Sequence, residues 1–94
     1  MAIIIKERST ALTAIIEHSD HKYVIFCPEL DLATEGDTPE AALDDLITMA
    51  IDYAEQYMEA FEQFSKSPNR AAHAPFAQAI QEVGSKEKVR TLFT

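Results

Sequence analysis

Residues 23–46 read YVIFCPELDLATEGDTPEAALDDL, and this stretch decides the fold. Tyr23, Ile25 and Cys27 alternate with Val24 and Phe26, the period-two pattern of a strand that begins at Lys22. Pro28 has no amide hydrogen and ends the ladder on its side. Leu32–Glu35 reads as a third short strand, and Gly36-Asp37 turns out of it. Thr38 then stands as an N-cap, Pro39 takes the first helical position, and Glu40 adds negative charge where the helix dipole favours it.

Upstream, Thr10–His18 alternates loosely, with Leu12, Ala14 and Ile16 opposed to Ala11, Thr13 and Ile15. It predicts a strand paired with Lys22–Cys27 through a Ser19-Asp20 hairpin turn. Neither strand has a clearly polar face. A helix covers one side, and the other side is expected to meet something too, which hints at self-association. Ala2–Ile5 is a short β-branched apolar run, read as an added edge strand, with an N-terminal arm as the alternative.

Downstream, nothing breaks the helix from Pro39 to about Phe64. Its apolar residues, from Ala42 and Leu46 through Tyr53, Tyr57, Phe61 and Phe64, fall on half of the circumference, and Asp44, Asp45, Asp52, Glu55, Glu59 and Glu62 take the other half. About 26 helical residues span ~39 Å, whereas a strand of five or six residues spans ~17–20 Å. The sheet can therefore cover only the first half of the stripe. Tyr53, Tyr57, Phe61 and Phe64 are expected to pack on the C-terminal tail, on a second copy in self-association, or on a partner. Ser65–Ala74 is a connector, Pro75 opens a short helix closed by Gly84, and Ser85 caps a last turn or two. The architecture expected is α+β: a three- to four-stranded antiparallel sheet, one long helix on a face, and a short helical tail.

A chain of 94 residues, 47% hydrophobic, with two Gly and four Pro, suits one compact domain. The apolar run after Met1 is too short for a signal peptide and its charges lie on the wrong side. No stretch approaches the ~20 apolar residues of a membrane span. One cysteine allows no internal disulfide, so a reduced, cytoplasmic setting is expected. The net charge of −8 is unevenly placed: residues 23–65 hold eleven acids and no Lys, Arg or His, while residues 66–94 hold five bases and two acids. Such a body repels phosphate, which argues against direct nucleic-acid binding, and attracts a basic partner. Solubility alone is the plainer explanation.

The motifs in residues 23–46 resemble the HicB antitoxin family, whose hallmark is a strand ending in Pro-Glu-Leu, then Gly-Asp-Thr leading into a Glu-Ala-rich helix. The matching residues are Tyr23, Val24, Pro28, Glu29, Leu30, Thr34, Gly36, Asp37, Thr38, Glu40, Ala41 and Leu43. Asp31, Leu32 and Ala33 stand where that family usually carries Pro-Gly-Cys. The resemblance covers roughly residues 10–60. It implies a truncated ribonuclease H-like fold, a HicB-like β-β-β-α domain over residues 1–66, and a tail over 67–94 that is not an independent domain. It also implies a partner: HicA, a small, basic, messenger-RNA-cleaving toxin that the antitoxin inhibits by covering its catalytic surface. Glu29, Asp31 and Glu35 are the expected partner-binding residues. An orphan homo-oligomer without a toxin is the alternative, and a homodimer or tetramer is the expected assembly.

Other chemistries find little support. The tail outlines a helix-turn-helix hinged at Gly84-Ser85, with Lys86, Lys88 and Arg90 as possible DNA contacts, but it lacks a supporting third helix. It is expected instead to fold back on the long helix. His18 and His21 flank a turn with no further ligands, so no metal site is expected. Cys27 has no His spaced for a thiol-imidazole pair. Two-metal nuclease chemistry needs carboxylates converging from the sheet, and the first strand offers Ala14-Ile15 at its centre. No catalytic residue, enzyme activity or cofactor is expected.

Overall fold

The strand pattern around Lys22–Cys27 folds into the middle of a sheet. The computed structural model describes residues 10–93, so the strand expected at Ala2–Ile5 lies outside the described residues. The sheet is an antiparallel meander of β1 (Ile15–Ser19), β2 (Lys22–Cys27) and β3 (Leu32–Gly36). Ser19 pairs with Lys22 and Ile15 with Phe26; across the other side of β2, Phe26 pairs with Ala33 and Tyr23 with Gly36. The hairpin turn is Asp20-His21, one residue later than Ser19-Asp20. Asp20 takes a left-handed backbone at φ 51°, which an Asp tolerates better than most side chains.

The first strand is also shorter than its alternation suggests. Pairing begins at Ile15 rather than Thr10. Two contacts redirect the segment before it. The Leu12 N–H donates to the Leu92 carbonyl at 2.7 Å, in an isolated parallel bridge of Leu12 with Phe93. Thr13 is held by Glu29. Leu12 is thereby fully buried, while Ile16, expected on the same face, is 51% exposed. The reason is position: α1 (Pro39–Glu59) lies over β3 and β2, leaving β1 outside its main footprint.

The start of α1 follows its sequence signals. The Thr38 hydroxyl accepts from the Ala41 N–H at 3.1 Å, and Pro39 follows it. Gly36 permits the close approach of β3 to this helix, since a Cβ there would lie 2.8 Å from the Ala42 nitrogen. The Thr34 hydroxyl, donating to the Ala42 carbonyl at 2.7 Å, fastens the same crossing. Along the first half of α1, Ala42, Leu46, Ile47 and Ala50 are buried together with Ile25, Cys27 and Leu30.

The expected unbroken helix ends at Glu59. Ala60 leaves the helical region at φ −116°, ψ 37°, and α2 (Phe61–Ser65) resumes on a new axis. No local breaker predicts this, because Ala is the best helix former. Tertiary packing decides it. On a straight helix residue 64 lies two turns, about 10.5 Å, beyond residue 57; here the Tyr57 and Phe64 rings are 5.6 Å apart, and Phe61 meets Tyr57 edge-on at 6.1 Å.

After the connector and a 3-10 turn at Ala71–His73, α3 (Ala74–Val83) ends at Gly84, whose φ of 75° makes the left-handed cap. Ser85 caps α4 (Lys86–Arg90). Both helices pack back on α1, burying Ala77, Ile80 and Val89, and the chain end reaches Leu12. The fold is α+β, with the tail built into the common core.

Candidate functional site

The residues singled out in the sequence fall into three places. Glu29 sits in the turn after β2, half-buried, with both carboxylate oxygens engaged. The Thr13 N–H donates to Oε1 at 2.8 Å, the Thr13 hydroxyl to Oε2 at 2.7 Å, and the Cys27 thiol to Oε1 at 3.5 Å. Burial opposes ionisation here, but the Thr13 donors outweigh it and hold the carboxyl below its ordinary value. Burial, reinforced by the Glu29 charge and only partly offset by backbone donors, pushes the Cys27 thiol up to about 11. Cys27 is thus a neutral core side chain. Asp31 and Glu35, unlike Glu29, are exposed: Asp31 holds the left-handed turn position at φ 57°, and Glu35 pairs with Val24 on the face away from α1.

That open face is partly apolar. Ile15, Phe26 and Ala33 form one cross-strand row, and Glu17, Val24 and Glu35 form the next. Ile15 is 44% and Phe26 37% exposed. On the helix side, Asp45, Asp52, Glu55, Glu59 and Glu62 are exposed along the outer face of α1 and α2.

The aromatic stripe meets the connector. Tyr57 is buried, and its hydroxyl donates to the Arg70 carbonyl at 2.8 Å. The Tyr53 hydroxyl and Nδ1 of His73 share a hydrogen bond of 2.6 Å. The Arg70 guanidinium carbon lies 4.8 Å from the centre of the Phe64 ring and 5.8 Å from that of Tyr53, within cation-π range of both. Burial lowers the His73 pKa, with Arg70 adding to the effect and Asp31 opposing it; burial raises Tyr53 and Tyr57. Both His73 and Tyr53 are therefore neutral at pH 7. No sequence pattern announces these hydrogen bonds. His73 looks isolated in its connector, and its partner is 20 positions away.

Of the three tail cations, Lys86 reaches Asp44 at 2.8 Å and Arg90 the same oxygen at 3.7 Å; both pairs are about half exposed. Lys88 makes no ion pair among the described residues. The described residues hold no cluster of metal-ligating side chains, and none of their helices is long and apolar enough to cross a membrane.

Comparison with known proteins supplies the family. The model of the PHD-like family, described as antitoxin of toxin-antitoxin, RelE / RelB, TA system, matches residues 2–94, and the chain belongs to that family. The match establishes an antitoxin family without singling out the HicB type. A crystal structure of an antitoxin part of a putative toxin/antitoxin system from Syntrophomonas wolfei subsp. wolfei has the same fold, with a TM-score of 0.82 at 21% identity over 89% of this chain. The present chain spans 61% of that one. No curated protein matches the sequence.

Proposed function

We propose that this protein is an antitoxin that binds a small basic toxin of the HicA type and inhibits it sterically, and that it is not itself an enzyme. The carrying observation is the family match combined with an unneutralised acidic surface. Of the eleven acids in residues 23–65, only Asp37 and Asp44 are in ion pairs among the described residues. Carboxylates displayed this way can take the positions on a basic protein that RNA phosphates would otherwise occupy. The HicB-like motifs of residues 23–46 support the HicA type of partner. Within the acid stretch, Asp31 and Glu35 are the contacts we favour, because they are exposed, whereas both oxygens of Glu29 serve the fold.

The second reading is an orphan homo-oligomer. The apolar row of Ile15 and Phe26 on the open sheet face favours it. Capture of the tagged protein from its native lysate at low salt separates the two. Co-purification of one small basic protein, released by salt and by charge reversal at Asp31 and Glu35, and able to cleave RNA once freed, is the expected result. A homodimer or tetramer with nothing else bound would overturn the antitoxin reading in favour of the orphan.

A further inference from the structure

Arg70 is the unexpected cation of this molecule. It follows a run of eleven acids, yet among the described residues it forms no ion pair. Its carbonyl is pinned by Tyr57, and its guanidinium is held by the Phe64 and Tyr53 rings. Among the described residues these ring contacts take up no N–H of the guanidinium in a hydrogen bond, so its donors remain available. Beside it, His73 is only 8% exposed, and its Nδ1 is engaged by Tyr53. Among the described residues Nε2 has no hydrogen-bond partner, yet none of their buried side-chain nitrogens or oxygens is unpaired. Nε2 therefore opens to solvent. His73 also lines a cavity of about 380 Å³ between the Leu30–Leu32 turn and the connector, together with Tyr53, Asn69, Arg70 and Asp31.

We propose that this cavity receives a single carboxylate group, held by the N–H edge of Arg70 and by the Nε2–H of His73. The Tyr53 hydroxyl has no other acceptor among the described residues; assigned as the donor to Nδ1, it leaves the proton of neutral His73 on Nε2, which then presents a donor. Arg70 supplies the fork that matches a carboxylate bidentately, already ordered by its ring contacts. Asp31 offsets the charge of Arg70: a phosphate dianion doubles its attraction to the one and its repulsion from the other, so a second charge brings no advantage and the planar fit of a carboxylate to the guanidinium fork decides. The carboxylate belongs either to a small organic acid or to the C-terminus of a peptide, since both present the same group. The site does not depend on the antitoxin reading. Its two donors lie on the connector that holds the tail, so a bound carboxylate also strengthens tail docking.

The test is a titration of the ¹⁵N-labelled full chain with sodium acetate at constant ionic strength, balanced with sodium chloride, following the His73 ring nitrogens. The expected result is a saturable shift at Nε2 that chloride alone does not produce. Arg70→Gln should weaken it roughly tenfold or more, the scale of one charge-assisted hydrogen bond, while Lys66→Gln leaves it unchanged. Should Arg70→Gln loosen the tail, the exposed Asp31→Asn decides: it should tighten acetate binding. An acetate response equal to that of chloride, Asp31→Asn without tightening, or inorganic phosphate binding more tightly than acetate would each overturn the proposal. Acetyl-diglycine distinguishes the sources. Binding tighter than acetate, and lost on amidation, identifies a chain terminus; binding equal to acetate identifies a small acid.

Discussion

The two halves of α1 bury comparable stripes of side chains by different means. The front half, from Ala42 to Ala50, packs Leu46 and Ile47 on Ile25, Cys27 and Leu30 and carries no polar side chain into that core. The rear half, from Tyr53 to Tyr57, packs aromatic rings whose hydroxyls must find partners, and both find them on the connector, at His73 and at the Arg70 carbonyl. Apolar packing is non-directional and follows the period of the helix. Buried hydroxyls are directional, and they bind the helix to a segment that only the folded chain brings near. The front half is thus a core, and the rear half is a clasp.

Substitutions should separate the two. The largest effect belongs to the front: Leu46→Ala, at a fully buried position, should cost about 2–5 kcal/mol of unfolding free energy. Urea melts should show the whole chain losing stability in one transition. If only the tail loosened, core and clasp would be the reverse of what is described.

A smaller effect belongs to the rear. Tyr57→Phe keeps the ring and removes the donor to Arg70, which should cost about 1 kcal/mol. Hydrogen exchange should quicken in the connector and α3 while the sheet and the front of α1 stay protected. Equal loss of protection in both halves would mean that the hydroxyl supports the fold globally.

The smallest effect is a dependence on pH. The folded-state pKa of His73 is lowered from 6.5, chiefly by burial. Between the two values the unfolded chain binds a proton that the folded chain does not. The contribution of this group is therefore complete above pH 6.5 and is lost as the pH falls through the lowered folded value. Clasp stability should decline on acidification from pH 7 to 5.5, and His73→Asn should flatten that decline. Glu29 does not interfere, because its carboxyl titrates below the ordinary 4.5 and stays ionised throughout this range. An unchanged slope in His73→Asn would assign the dependence to another group.

Much of the front half is legible from residues in order. The alternation of Tyr23–Cys27, the Thr38 cap, Pro39, and the spacing of Ala42, Leu46, Ile47 and Ala50 are local signals, and the folded chain uses each where it stands. Misreadings occur where a distant group intervenes. Thr10–Ala14 alternates like a strand, but Glu29 takes Thr13 and the chain end takes Leu12. Ala60 has no reason to break a helix until Phe61 and Phe64 close on Tyr57. The expected partner residues Glu29, Asp31 and Glu35 lie close together in the chain, yet the turn sends the first inward and leaves the other two outside.

By itself, then, the sequence determined the order of elements, the helix start, the acidic character of the body and the antitoxin likeness. All of these depend on neighbours within a few positions or on composition. Tertiary structure alone decided which carboxylate serves the fold and that Tyr53, Arg70 and His73 share one cavity. Those outcomes rest on pairs some 13 to 20 positions apart, whose hydrogen bonds have no periodicity to announce them. They form only when packing has brought the two segments together and made an unpaired polar group costly.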